Sequence, residues 1–121
     1  MIIRHLTDCP LVTASDDCTL RELLHPDRDG GDLPYSIAVA QLAVGARSRR
    51  HRLNQTEVYY LLDGSGIVHV GGEARPVYAG DTIVIPAGAE QWIENSGANT
   101  LRFVAIVSPP WRAEDDVRLE P

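Results

Sequence analysis

The sequence predicts an all-β sandwich or barrel. Nine short runs rich in Val, Ile, Thr and Tyr recur along the chain. Turn-like clusters separate them at a spacing of about ten residues, the pattern of small antiparallel β domains. No window of useful length carries a 3.6-residue apolar period. Taken in order, the expected strands are Leu11–Ala14, Leu20–Leu24, Ser36–Val44, Glu57–Leu62, Gly66–Val70, Arg75–Val77, Thr82–Ile85, Gln91–Glu94 and Leu101–Val107. The breaks between them include Asp29-Gly30-Gly31-Asp32, Asp63-Gly64-Ser65-Gly66, Gly71-Gly72, Ala79-Gly80-Asp81, Pro86-Ala87-Gly88 and Asn95-Ser96-Gly97, all with residues that favour turns. Leu20–Leu24 could also form a helical turn, but is too short to change the class.

Two strands are apolar on both faces: Val58–Leu62 and Phe103–Val107. A strand with one wet face alternates. One set therefore faces the interior, and the other calls for a cover. Pro10–Ala14, Pro109-Pro110-Trp111 and a second subunit are the candidates, which favours a homodimer. The polar tail from Arg112 to Asp116 reads as a solvated end.

Length and composition narrow the function. At 121 residues and 13.3 kDa the chain is expected to form one domain, residues 1–121. No apolar stretch is long enough to span a bilayer. The start lacks a signal-peptide core, so a cytoplasmic location is expected. All eleven basic residues are arginine, which excludes Schiff-base lysine chemistry and a Walker A loop. A net charge of −6 makes nucleic acid a poor partner. No G-x-S-x-G elbow or dinucleotide-binding glycine motif is present. Cys9 and Cys18 do not have redox or zinc spacing and read as incidental thiols.

Two blocks carry the chemistry. The first runs from Gly45 to Gly64 as G-x5-H-x-L-x3-E-x6-G, with His51, Leu53 and Glu57 at the marked positions. The second runs from Gly80 to Asn95 as G-x5-P-x-G-x2-Q-x3-N, with Pro86, Gly88 and Gln91. About 15 residues separate them.

Both blocks resemble the two motifs of the cupin family, G-x5-H-x-H-x(3,4)-E-x6-G and G-x5-P-x-G-x2-H-x3-N. The likeness is to small single-domain cupins of the mannose-6-phosphate-isomerase-like type, and with flanking strands it covers most of Ser36 to Val107. It implies a double-stranded β-helix, a jelly-roll barrel, with the terminal segments packed outside. Such cupins hold a divalent metal through two His and one Glu of the first motif and one His of the second. Here Leu53 and Gln91 replace two of those histidines. His51, Glu57 and Gln91 remain as candidate metal ligands. This oxygen-rich set leans toward Mn or Fe, with Zn or Ni as alternatives.

Each of these residues also has a reading without metal. His51 can line the pocket as a hydrogen-bonding group. Glu57, entering an apolar strand, needs a partner and can act as a general base. Gln91 can both donate to and accept from a substrate. Tyr59 shares a face with Glu57 by the period of two, as a proton donor or as packing. Phe103 is expected on the barrel floor, as core packing and as a substrate contact. Tyr60, His69 and Trp92 should point outward, and His5 and His25 read as surface residues. Arg47, Arg49, Arg50 and Arg52 cluster beside His51. They are either a solvated loop or a mouth that attracts an anion, with Arg49 and Arg52 as substrate contacts.

The resulting expectation is a metal-dependent enzyme acting on a small anionic molecule by isomerase, lyase or oxygenase chemistry. A metal-free binding or sensing barrel is the alternative. A small-molecule ligand is expected in either case, and neither nucleic acid nor membrane as partner.

Overall fold

The computed structural model describes residues 1–121 as two antiparallel sheets. The strands are β1 (Leu11–Thr13), β2 (Thr19–Leu24), β3 (Ser36–Leu42), β4 (His51–Leu53), β5 (Thr56–Asp63), β6 (Ser65–Val70), β7 (Glu73–Tyr78), β8 (Thr82–Ile85), β9 (Glu90–Glu94), β10 (Leu101–Ser108) and β11 (Asp116–Arg118). One sheet has the order β1-β2-β3-β10-β5-β8, the other β11-β4-β9-β6-β7. A four-residue helix, Pro26–Asp29, interrupts the pattern between β2 and β3. No helix is long and apolar enough to cross a membrane.

The expected strands all form, within two residues at either end. Two strands were not anticipated, β4 and β11, each three residues long. They pair with each other, Arg118 opposite His51 and Asp116 opposite Leu53. Arg112 to Glu114 are exposed as expected of a solvated end, but Asp116 begins an edge strand of the second sheet. Three-residue strands make too few alternations to register as a period, and this pairing is set wholly by tertiary contact.

The alternation decides the core. On β10, Leu101, Phe103 and Val107 are buried, and on β5 so are Glu57, Tyr59 and Leu61. These inward sets meet Ile85 of β8 and Ile93 of β9, each at most 1% exposed. The outward set on the same strands is apolar too. Val84 and Tyr60 stay 63% and 41% exposed, so the terminal segments leave the β5–β8 part of this face uncovered. Those segments close the barrel mouth instead: Val12, Thr13, Ala14 and Trp111 line its cavity.

Two turns show why the glycines sit where they do. Gly64 is the single residue between β5 and β6, which belong to different sheets. Its φ is +85°, and a Cβ there would lie 2.8 Å from the Thr100 carbonyl oxygen. The corner requires both the left-handed backbone and the missing side chain. Gly71 and Gly72, with φ of +57° and +87°, form a two-residue hairpin loop between β6 and β7. Positive φ at both centres matches the right-handed twist of the strands. At the end of the second motif, Asn95 donates to the carbonyls of Leu42 and Asn99 and accepts from the Gly97 amide. That asparagine ties the turn into the barrel and takes no part in chemistry.

Candidate functional site

A cavity of about 260 Å³ opens between the two sheets, with 13 of its 21 lining residues hydrophobic. His51, Glu57, Tyr59 and Phe103 all face it. Alternation explains this directly: His51 and Leu53 point inward on β4, while Glu57 and Tyr59 do so on β5.

The imidazole of His51 is 4% exposed. Its Nδ1 lies 2.9 Å from the carbonyl of Arg49. A carbonyl only accepts, so Nδ1 carries the proton and Nε2 presents a lone pair in the neutral ring. Nε2 lies 3.9 Å from Oδ2 of Asp16. Asp16 is held by the backbone amide of Cys18, 3.1 Å from Oδ1. Burial keeps its carboxyl above the usual range, opposed by His51 and by that amide.

Glu57 is the most perturbed carboxyl of the cavity wall. It is 8% exposed, and its Oε1 has no hydrogen-bond partner. Burial raises its pKa from 4.5 to about 7, against the opposing pull of His51 and the nearby Gln91 amide. Desolvation disfavours the charged form, and no arginine faces the cavity to compensate.

Tyr59 donates to Oε1 of Gln91 across 3.1 Å. Burial pushes its own ionisation well above the ordinary phenol range. Its proton is thus committed, and the residue positions Gln91 rather than donating to a ligand. Gln91 is 1% exposed and lies behind the cavity wall. Its Nε2 is unpartnered. Tyr59→Phe would leave both ends of this buried amide without a partner. The expected cost is about 1–3 kcal/mol, read as a lower urea midpoint at unchanged slope; an unchanged midpoint would show the bond to be dispensable.

The arginines are placed differently from the sequence expectation. Arg49 donates to Asp17 across 2.7 Å, Arg50 pairs with Glu90 at 3.2 Å, and Arg47 pairs with Glu120 while stacking on Trp92. Arg52 points outward from β4, between inward His51 and Leu53. No arginine lines the cavity. Arg49 and Arg52 therefore do not contact a ligand held there, because acids distant in sequence, at positions 17, 90 and 120, take up three of the four cations.

Other residues differ from expectation as well. His25 is 7% exposed and bonds the Trp111 carbonyl at 2.7 Å, so it is not a surface group. His69 does face outward, stacked on Trp92 with ring centroids 3.4 Å apart. The thiols of Cys9 and Cys18 are free and buried. Cys18 reaches the cavity, but burial and the neighbouring Asp16 hold its thiol protonated, which keeps it unreactive.

Three acids of the cavity were not singled out from sequence: Asp16, Glu22 and Asp116. For Glu22 a signal existed: counting by twos from Leu20, which is plainly apolar, puts Glu22 on the same face of β2. Asp16 carried none, since it lies in the turn before β2 next to Asp17 with φ of +71°. Asp116 carried no such signal, since its strand exists only through pairing with β4.

The residues on the wall do not fit a resident divalent metal. His51 is the one imidazole there, and Leu53 stands where a second would be. Gln91 does not line the cavity, and its oxygen already accepts from Tyr59. No three His, Cys, Asp or Glu side chains come together around one point, whereas a catalytic metal site draws on three protein ligands.

Comparison with known proteins agrees with this architecture. The profile of the cupin domain family matches residues 38–107. An uncharacterized protein of Methanocaldococcus jannaschii, MJ1618, is 37% identical over 112 residues, covering 92% of this chain and 88% of that one. The oxalate-binding protein of Thermotoga maritima is 39% identical over 51 residues, 42% of each chain. A crystal structure of a predicted oxalate decarboxylase from the same organism superposes with a TM-score of 0.77 at 25% identity, covering 90% of this chain and 99% of that one. With both motifs, the two-sheet barrel and these matches in agreement, the chain belongs to the cupin family.

Proposed function

We propose that this cupin binds a small molecule in its barrel cavity and moves a proton to or from it through Glu57, without a resident metal. One observation carries the reading. A buried carboxyl with an unpartnered oxygen and a pKa of about 7 lines a mostly apolar cavity. A general acid or base works best when its pKa lies near the working pH. Isolation of such a group from water is a common device for reaching that value.

Among isomerase, lyase and oxygenase chemistry, this arrangement serves those isomerase and lyase reactions that begin with removal of a proton from carbon next to a carbonyl. Glu57 takes the proton. His51, its ring fixed by the Arg49 carbonyl, presents the Nε2 lone pair on the same wall and can accept a hydrogen bond from the substrate, while Glu57, once protonated, returns the proton to carbon. Tyr59 and Gln91 hold the wall behind them. His51 and Glu57 are both buried, and the lower local dielectric strengthens their electrostatic contacts.

The test follows the proton rather than a particular product. A mixture of small carbonyl compounds is incubated in D₂O, and loss of C–H signals is followed by NMR. The native chain is expected to exchange at least one compound at least tenfold faster than Glu57→Gln. Equal rates for both proteins would overturn the proposal. Elemental analysis of tag-free protein purified without chelator is expected to give well below one equivalent of Mn, Fe, Zn or Ni. About one equivalent, lost in His51→Ala, would replace this reading with the metal-dependent one.

A further inference from the structure

The charges on the cavity wall bear on what it binds. Besides Glu57, three carboxylates face it, Asp16, Glu22 and Asp116, and no arginine does. Asp116 is satisfied in part, its Oδ2 accepting from Ser15 Oγ at 2.7 Å and from Trp111 Nε1 at 3.0 Å. Asp16 has its backbone cap from Cys18. Glu57 differs: it is more than nine-tenths buried, it lines the cavity, and its Oε1 meets no donor. A buried acceptor without a donor costs free energy in the ligand-free protein. Negative charge on Asp16 and Asp116 further disfavours ionisation of Glu57, and only His51 and the Gln91 amide oppose this. A ligand bearing positive charge and N–H donors, brought against the cavity side of this carboxyl, offsets the repulsion among the carboxylates.

The rest of the wall suits such a ligand. Tyr59, Phe103 and Trp111 contribute aromatic surface, and aromatic faces attract cations most strongly where water is excluded. An anion meets the opposite situation. Oxalate requires cationic donors on two carboxylates, and the nearby arginines are paired with Asp17, Glu90 and Glu120 outside the cavity.

We propose that the cavity takes a small organic cation, an alkylammonium group seated between Glu57 and Asp16 with its hydrocarbon part against the aromatic wall. This inference rests on the reading of the cavity as a small-molecule site and names the ligand class. It reverses the sign expected from the arginine cluster in the sequence.

The test compares ligands of equal shape and different charge. Butylammonium, butanol, butyrate and oxalate are titrated into the full chain at constant ionic strength, with binding followed by ligand-observed NMR. Butylammonium is expected to bind at least tenfold more tightly than butanol, with butyrate and oxalate weaker still. The Asp16→Asn/Glu57→Gln double variant, checked for folding by circular dichroism, is expected to lose at least tenfold in butylammonium affinity and keep its butanol affinity. Tightest binding of butyrate or oxalate overturns the cation assignment and leaves the small-molecule site standing. Equal affinity for all four does the same. If no compound binds but the carbonyl mixture exchanges with Glu57 present, the cation assignment alone falls. If neither assay responds, both readings fall.

Discussion

Glutamine in place of Glu57 is expected to make the folded chain about 3 kcal/mol more stable than the native one at pH 8, and about equal to it at pH 4. The native carboxyl has a pKa of about 7 when folded, against 4.5 as its ordinary value. Below pH 4.5 it is protonated in both states and contributes no difference. Between 4.5 and 7 the unfolded chain ionises while the folded chain holds its proton, so stability falls as pH rises. Above 7 the loss is complete, and the gap of roughly 2.5 units converts at 1.36 kcal/mol each. Glutamine cannot ionise and removes this slope. Asp16 adds a slope of the same sign, and because it repels Glu57 the glutamine also eases its ionisation, which acts in the same direction as the main effect. Urea denaturation of both at pH 4 and pH 8 measures the effect. Identical midpoints at pH 8 would mean that Glu57 is solvated in the folded chain, and the proposed proton transfer would lose its basis. A residue that weakens the fold at working pH is what a stability–activity trade-off looks like.

The largest loss of stability is expected from Phe103→Ala, about 3–5 kcal/mol. Phe103 is 1% exposed and its ring lies 4.4 Å from that of Tyr59. It belongs both to the closed core and to the floor of the cavity. Truncation removes the transfer energy of the ring and merges new empty volume with the existing space. The surrounding strands pair on both sides of β10, with β3 and with β5, so they cannot collapse inward without breaking register. A drop in urea midpoint at constant slope checks this. A loss under about 1 kcal/mol, below the usual range for a buried aromatic, would show that the floor repacks, and the cavity volume would then have no fixed meaning for ligand choice.

Much of the barrel is legible in the sequence, for a local reason. In strands such as β5 and β10 the period of two puts Glu57 and Tyr59 on one face and Tyr60 on the other, and the motif position of Glu57 says which face is inward. The turn residues at Gly64 and at Gly71-Gly72 are equally local. What stays hidden depends on residues far apart in the chain. The arginine cluster beside His51 looks like a mouth for anions because its acidic partners lie tens of residues away. Gln91 occupies a ligand position in the motif, yet its oxygen is claimed by Tyr59, a pairing visible only when β5 and β9 face each other. Asp116 becomes a wall residue through β11, which no pattern within its three residues announces. A motif thus places His51 and Glu57 correctly in the pocket, while the charge of that pocket comes largely from segments outside both motifs.

The bond from Ser15 to Asp116 joins residues 101 apart in sequence, and with it two segments from opposite ends of the fold meet at the cavity mouth. Bringing distant segments together carries an entropic cost that grows with the loop closed, and each contributes only a three-residue strand there. Such short, peripheral pairings open before the core does. The doorway is therefore made of the least cooperative part of the molecule. Fraying of these strands and exit of a bound molecule become one event, so the residence time of a ligand is governed by how firmly the two segments hold each other.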